Sequence, residues 1–323
     1  METSKGGRIA VIVALLTVYL VWGSTYLAIR VGLDGWPPFL LAGSRFVIAG
    51  ALLLLFGCLR KEPLPRSWPQ ARTVMITGVL MLAMGNAGVV WAELYVASGV
   101  VALIIATVSL WMMALESLRP GGERMTWAKF GGALLGLSGV ALLMAPNLSN
   151  NHTNDQALLA QIILLGTSLS WAAGSIYSKH APMPKSTIMS SGAQMLVAGF
   201  VLCVLAAATG EFAEFRLERA AGAPLWALLY LIVFGSCLAY TAYMWLLRHS
   251  SPALASTYAY VNPVVAVILG ALLLNEPVTA WLIAGSVLVL ASVFVIQHAR
   301  MRLAARRRMV STVSAMPEVK SAA

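Results

Sequence analysis

The chain repeats itself at a lag of about 149 residues. Ala42-Gly43-Ser44-Arg45-Phe46-Val47-Ile48-Ala49-Gly50 returns as Ser191-Gly192-Ala193-Gln194-Met195-Leu196-Val197-Ala198-Gly199. The same shift carries Trp22 onto Trp171 and Arg30 onto Lys179. If each copy crosses a bilayer an odd number of times, the second copy must enter from the opposite face. Inverted repeats of this kind build secondary transporters, with a site near the bilayer midplane where the halves meet.

Bilayer is also the solvent that the composition suits. Charged residues make up 11% of the chain and hydrophobic ones 59%. A soluble domain carries about 25% charged residues, so this chain has too few to cover a surface in water. Uncharged or nearly uncharged runs occupy 9–29, 37–59, 73–92, 94–115, 126–145, 156–178, 186–210, 220–247, 250–275 and 277–297. A helix needs about 20 residues, at about 1.5 Å each, to cross the hydrocarbon core. Only helices satisfy their own backbone groups in lipid. The expectation is an all-α integral membrane protein with ten transmembrane helices, arranged as two inverted five-helix repeats. The repeats are expected at 9–145 and 156–297, with a basic cytoplasmic tail at 298–323. The first run, 21 residues long, exceeds a signal-peptide core of about 7–15 residues and reads as a span.

The net charge of +10 is distributed by topology. With the N-terminus in the cytoplasm, 18 of the 22 Lys and Arg residues fall inside. Only Arg216 and Arg219 fall outside, while Arg30 and Arg45 belong to spans. This is the positive-inside pattern, with both termini cytoplasmic. The run Arg300–Arg308 reads as an anchor near anionic lipid rather than a nucleic-acid patch. Asn147-Leu148-Ser149 and Asn151-His152-Thr153 read as a polar loop between the halves. Cys58, Cys203 and Cys237 show no CxxC spacing and read as apolar filler.

A few residues break the apolar pattern. Trp22 lies 13 residues into its span, about 20 Å along the helix and far from the interfacial belt where tryptophans collect. Trp171 is comparably deep. Gly23, Ser24 and Thr25 follow the first ring, and Ala172, Ala173, Gly174 and Ser175 the second. A large ring beside small residues fits a close helix crossing. It equally fits the wall of a substrate cavity. Arg45 sits 8 residues into the second run, where a cation costs roughly 2.5–3.5 kcal/mol at a span centre. It either pairs with Glu93 at the end of the third run or holds a substrate carboxylate in a wet cavity. Glu93 and Glu116 are the acids nearest the membrane, with pairing to arginine and proton carriage as the alternatives for Glu93. Asn86 is a hydrogen-bonding group in mid-span. Asn262-Pro263 predicts a kink, because proline frees the carbonyl four residues back, with Tyr258 and Tyr260 beside it. Gly132-Ala133-Leu134-Leu135-Gly136 suits a close crossing, between the halves or between protomers of a homodimer.

No GxxxxGK[ST], HExxH or GxSxG occurs, and the four histidines are dispersed in or beside loops. No metal site, cofactor or catalytic residue is expected, and an intramembrane enzyme is the weaker class.

Trp22-Gly23-Ser24-Thr25-Tyr26, Arg45-Phe46, Ser98-Gly99 before Ala102-Leu103, and Gly122-Glu123 with Thr126 resemble the drug/metabolite transporter superfamily, in particular its tandem EamA-type exporters. Ser251-Pro252-Ala253, Asn262-Pro263-Val264-Val265 and Glu276-Pro277 with Thr279 continue the resemblance, which covers residues 9–297. It implies a multi-pass protein of the cell inner membrane with a central cavity. It also implies export of amino acids, related metabolites or toxic organic compounds. It points to Trp22, Asn86, Trp171 and Tyr258 as cavity-facing. One departure is Ser109, where the family commonly has proline, so the fourth span is expected to be straighter. The resulting expectation is a secondary exporter of small molecules working by alternating access, lined by spans 1, 3, 4, 6, 8 and 9. Its candidate site comprises Trp22, Ser24, Arg45, Asn86, Glu93, Trp171, Tyr258 and Asn262. An uptake or exchange permease of the same fold is the alternative, followed by a membrane enzyme or partner subunit.

Overall fold

The structure, a computed structural model, describes residues 5–63, 67–122, 126–149, 155–250, 252–292, 294–295 and 298. The polar segment at 150–154, most of the basic tail, Glu123 and Ser251 lie outside the described residues. The described residues are mostly helical and include no strand. The principal helices are α1 (Lys5–Leu33), α2 (Pro38–Leu59), α3 (Trp68–Ala92), α4 (Ser98–Leu118) and α5 (Trp127–Ser149) in the first half. The second half holds α6 (Asp155–His180), α7 (Thr187–Ala208), α8 (Ala223–His249), α9 (Tyr258–Leu274) and α10 (Ala280–Ser292). Seven of these, all but α5, α9 and α10, are long and apolar enough to cross a membrane; the other three hold shorter apolar stretches.

The repeated phrase meets itself at the centre. α2 and α7 pack along their length. A Cβ on Gly50 would stand 2.8 Å from the Gly192 carbonyl oxygen, and one on Gly199 would stand 2.7 Å from the Val47 nitrogen. Gly43 faces Cys203 in the same way. Contacts that descend one helix while ascending the other make α2 and α7 antiparallel, as inversion of one copy relative to the other requires. Small residues at such a crossing let the backbones approach and gain dispersion contact in lipid.

The halves also exchange partners. Thr107 donates to the Ile104 carbonyl (2.6 Å) and meets the Ser168 hydroxyl of α6 (2.9 Å). Thr257 donates to the Leu254 carbonyl (2.6 Å) and meets the Tyr19 hydroxyl of α1 (2.5 Å). At each threonine the helix is interrupted, at Ala106–Thr107 within α4 and at Ser256–Thr257 before α9. The structure corrects one expectation here and adds a second interruption. α4 is broken although Ser109 replaces a proline. The second interruption lies upstream of Asn262-Pro263, with Pro263 inside the continuous helix α9. In both places a side-chain hydroxyl competes for the backbone carbonyl and weakens the helical ladder.

α3 and α8 each contain a π-helical segment, at Gly78–Ala83 and Leu231–Tyr240. Such segments shift the side chains that follow and are frequent at functional sites. Carboxylates close two helix starts. Glu211 accepts the Phe39 and Leu40 N–H groups at 3.2 and 2.7 Å. Glu276 accepts the Ser98 N–H and hydroxyl, both at 2.9 Å. Each satisfies N–H groups that a helix leaves without intrahelical partners. Thus Ser98-Gly99 and Glu276, distant in sequence, come together across the halves.

Candidate functional site

A small cavity of about 80 Å³ lies where the halves meet. α1 contributes Trp22, Thr25, Tyr26 and Ile29, one face of the helix at successive three- and four-residue steps. α3 contributes Leu82, Gly85, Asn86 and Val89. Arg45 and Phe46 come from α2, Ile105 from α4, Trp171 from α6, Gly235 and Tyr240 from α8, and Tyr258 and Asn262 from α9. All six expected helices take part, and α2 joins them through Arg45 and Phe46.

The aromatic wall is built around Trp22. Its ring meets Trp171 edge to face at 5.4 Å, Tyr258 edge to face at 5.2 Å and Tyr243 at a tilt at 5.1 Å between centroids. The Trp22 indole N–H donates to the Gly235 carbonyl at 3.1 Å, a backbone group of the π-helical segment in α8. Trp171 fits because Gly85 has no side chain; a Cβ there would stand 2.8 Å from the indole. The Trp171 N–H is buried beside the Tyr243 and Tyr258 hydroxyls without completing a well-aligned hydrogen bond. Tyr243 in turn meets the Ser175 hydroxyl at 2.9 Å.

Arg45 is buried, with 5% of its surface exposed. Its Nε donates to the Ser236 hydroxyl at 2.7 Å, and its guanidinium lies 4.8 Å from the centre of the Phe46 ring. Among the described residues no carboxylate pairs with it. The alternative of an Arg45–Glu93 ion pair is therefore not what the structure shows. Gln194, the repeat counterpart of Arg45, donates to Thr77 (2.6 Å) and accepts from the cavity-lining Tyr240 hydroxyl (3.0 Å). Each equivalent position thus reaches the third helix of the opposite half, one with a charge and the other with a neutral amide.

Six of the eight predicted site residues line the cavity: Trp22, Arg45, Asn86, Trp171, Tyr258 and Asn262. The Asn86 amide nitrogen donates to the Leu82 carbonyl of its own helix at 3.1 Å. The Asn262 amide, with its nitrogen toward the carbonyls, donates to Tyr19 (3.1 Å) and Tyr258 (3.2 Å) and ties α9 to α1. Ser24 turns elsewhere: its hydroxyl meets that of Tyr230 at 2.6 Å. Glu93 is fully buried beyond the end of α3 and does not line the cavity. Sequence reasoning missed Thr25, Tyr26, Gly235 and Tyr240 as lining residues. For Thr25 and Tyr26 the signal was present, since they lie three and four residues beyond Trp22.

Charged ends flank the cavity. Beyond Ile29 on α1, a vestibule is lined by Arg30, Asp34 and Glu276. At the opposite end of the molecule a second recess is lined by Lys179, Lys185 and Arg248. Arg30 donates to the Glu93 carbonyl, and Lys179 to the Leu247 and Ser250 carbonyls (3.2 and 3.1 Å). The two repeat-related cations therefore close the C-terminal ends of α3 and α8, where the helix dipole favours positive charge. Among the described residues no cluster of His, Cys, Asp and Glu is suited to a metal ion.

Comparison with known proteins gives a consistent result. A sequence profile of the EamA-like transporter family matches residues 9–145 and again 158–297. The chain is 42% identical over 286 residues to the uncharacterized inner membrane transporter YedA of Escherichia coli K12, covering 87% of this chain and 89% of that protein. It is 26% identical over 287 residues to a probable amino-acid metabolite efflux pump of Salmonella typhimurium, covering 87% and 92%. A crystal structure of a protein 19% identical in sequence superposes with a TM-score of 0.65, covering 93% of this chain and 99% of that one.

Proposed function

Since the chain is a multi-pass inner-membrane protein belonging to the EamA-like transporter family, we propose that it is a secondary-active exporter of small organic molecules working by alternating access. The observation that carries the substrate class is Arg45. It is a buried cation at a cavity whose wall includes six aromatic side chains, and among the described residues it has no acid partner. Such a group binds a carboxylate, while Trp22, Trp171 and Tyr258 pack an apolar or aromatic body. Amino acids and related carboxylated metabolites fit both requirements. The name of the Salmonella relative, a probable amino-acid metabolite efflux pump, supports the same class.

The proposed topology is ten spans in two inverted repeats with both termini cytoplasmic, which puts the Lys179, Lys185 and Arg248 recess inside. The test is flux. Purified chain in liposomes should move a labelled amino-acid mixture, and R45Q should bind carboxylated substrates less tightly. If the chain moves none of the mixture but chemically converts a component, the reading fails. Cells overproducing the chain should become more resistant to toxic amino-acid analogues; greater sensitivity would favour uptake or exchange. Cysteines placed at Arg30 and Lys179 should be labelled from opposite faces, and labelling from one face would overturn the inversion.

A further inference from the structure

We propose that Glu93 is the proton site that couples transport to the transmembrane proton gradient. The inference rests on the transport reading above and adds a driving ion to it.

Its place in the fold is specific. On α3, Asn86 and Val89 face the cavity, whereas Leu94 to Ala97, in the connection to α4, line the outer vestibule. On α1, Tyr26 and Ile29 face the cavity, whereas Arg30 and Asp34 line the vestibule. Glu93 lies between these levels, immediately after the last residue of α3, in the wall that divides the two spaces. It is 0% exposed, and neither carboxyl oxygen has a hydrogen-bond partner among the described residues. Other acids near helix ends are engaged. Glu211 accepts two N–H groups, Glu276 holds Ser98, and Glu116 contacts Arg119 at 3.2 Å.

The ionisable groups that face Glu93 are Tyr26 and Arg30 from α1 and Glu276 from the connection after α9. α2 brings Arg45 to the cavity, turned toward Ser236. Arg30 is close, yet its hydrogen bond goes to the Glu93 backbone carbonyl rather than to the carboxylate. A carboxylate held dry without hydrogen bonds is far costlier than the neutral acid. In this conformation the group is therefore a carboxylic acid. When the dividing wall parts, water reaches it. The O–H bond then breaks, the proton passes to water on the open side, and the electron pair remains as a carboxylate beside Arg30. Closure without substrate expels the water and requires a proton to be taken back first, whereas closure with substrate leaves the carboxylate beside Arg30. A cycle that carries substrate one way and returns empty therefore moves one proton against one substrate.

The test compares two modes of transport in proteoliposomes loaded with a labelled amino-acid mixture. One is exchange at equal pH; the other is accumulation driven by a pH gradient. In E93Q the ratio of gradient-driven accumulation to exchange should fall at least tenfold, and E93D should restore part of it. An E93Q protein that still accumulates label with the gradient overturns the proposal. So does a folded E93Q that loses both modes together with no recovery in E93D, because that behaviour is structural. A second measurement needs no substrate. An infrared pH titration of the full chain in nanodiscs should show a protonated-carboxyl band that titrates in the wild type and is missing in E93Q. Absence of that band overturns the proposal. Its presence in a wild-type chain that moves no label leaves the proton site standing and counts against the proposed transport of amino acids.

Discussion

Trp22 and Trp171, 149 residues apart in the chain, meet edge to face with 5.4 Å between centroids and 85° between ring planes. Equivalent positions of the two copies therefore touch in the cavity wall. Edge-to-face pairs contribute about 0.5–1.5 kcal/mol beyond their buried area. W22F keeps most of this packing but loses the bond to the Gly235 carbonyl, a net loss of about 1 kcal/mol. W171F loses no completed hydrogen bond. Thermal unfolding in detergent should therefore show a larger drop in Tm for W22F than for W171F. Equal drops would mean that the bond to α8 contributes little.

Arg45 offers a charge-assisted contact that only an anionic substrate can use. Loss of a hydrogen bond to a charged group costs about 1.5–3 kcal/mol, which is a tenfold or greater weakening. R45Q should raise the concentration of a carboxylated compound needed to compete for flux by at least tenfold. The corresponding amide, lacking the negative charge, should be affected much less. Equal effects on acid and amide would assign Arg45 to holding α8 through Ser236.

Gly50 stands where a methyl group would meet the Gly192 carbonyl at 2.8 Å, a backbone atom that cannot swing aside. Gly166, on α6, has nothing within 4 Å of the same position. G50A should destabilise the protein by about 1–3 kcal/mol through overpacking, whereas G166A should leave it unchanged or slightly more stable. Melting curves of the two variants distinguish crowding at the α2–α7 crossing from a general effect of removing glycine.

Glu211 lies in the connection after α7 and closes the start of α2. Burial pushes its carboxyl above the ordinary 4.5, against the opposing pull of the Leu40 and Phe39 N–H groups, with a smaller push from Glu214. The folded state therefore holds the proton more tightly than the unfolded one. The resulting stability is full below about 4.5 and is lost as pH rises through the raised value. The difference in Tm between wild type and E211Q should shift against the wild type across that interval and be constant at higher pH. A difference independent of pH throughout would show that the carboxyl does not titrate there.

Much of the fold was legible because lipid imposes simple demands. Among the described residues the apolar runs are largely helical, seven of the helices being long and apolar enough to cross a membrane, and the lag between copies brought Gly43 and Gly50 against Gly199 and Gly192. Trp22, Trp171 and Arg45 stood out as a large ring or a charge where lipid-facing aliphatics are expected, and all three line the cavity. Ser24 was misplaced because a hydroxyl beside Trp22 gives no indication of its azimuth, and α8 supplies Tyr230 on the other side. Of the alternatives for Glu93, pairing with Arg45 is not seen, because Arg45 turns to Ser236 and the Glu93 carboxyl has no hydrogen-bond partner among the described residues. The interruptions at Thr107 and Thr257 were hidden because proline, the usual marker of a broken helix, stands elsewhere.

The sequence by itself determined that this is a bilayer protein of two related halves, since apolar length, charge placement and internal repetition are one-dimensional properties. Only the tertiary structure decided which face of each helix lines the cavity and which acids acquire partners. In an all-apolar helix every face suits either lipid or a neighbouring helix. The rotation of α1, α3 and α8 is therefore set by glycine contacts, π-helical offsets and hydrogen bonds between segments far apart in the chain.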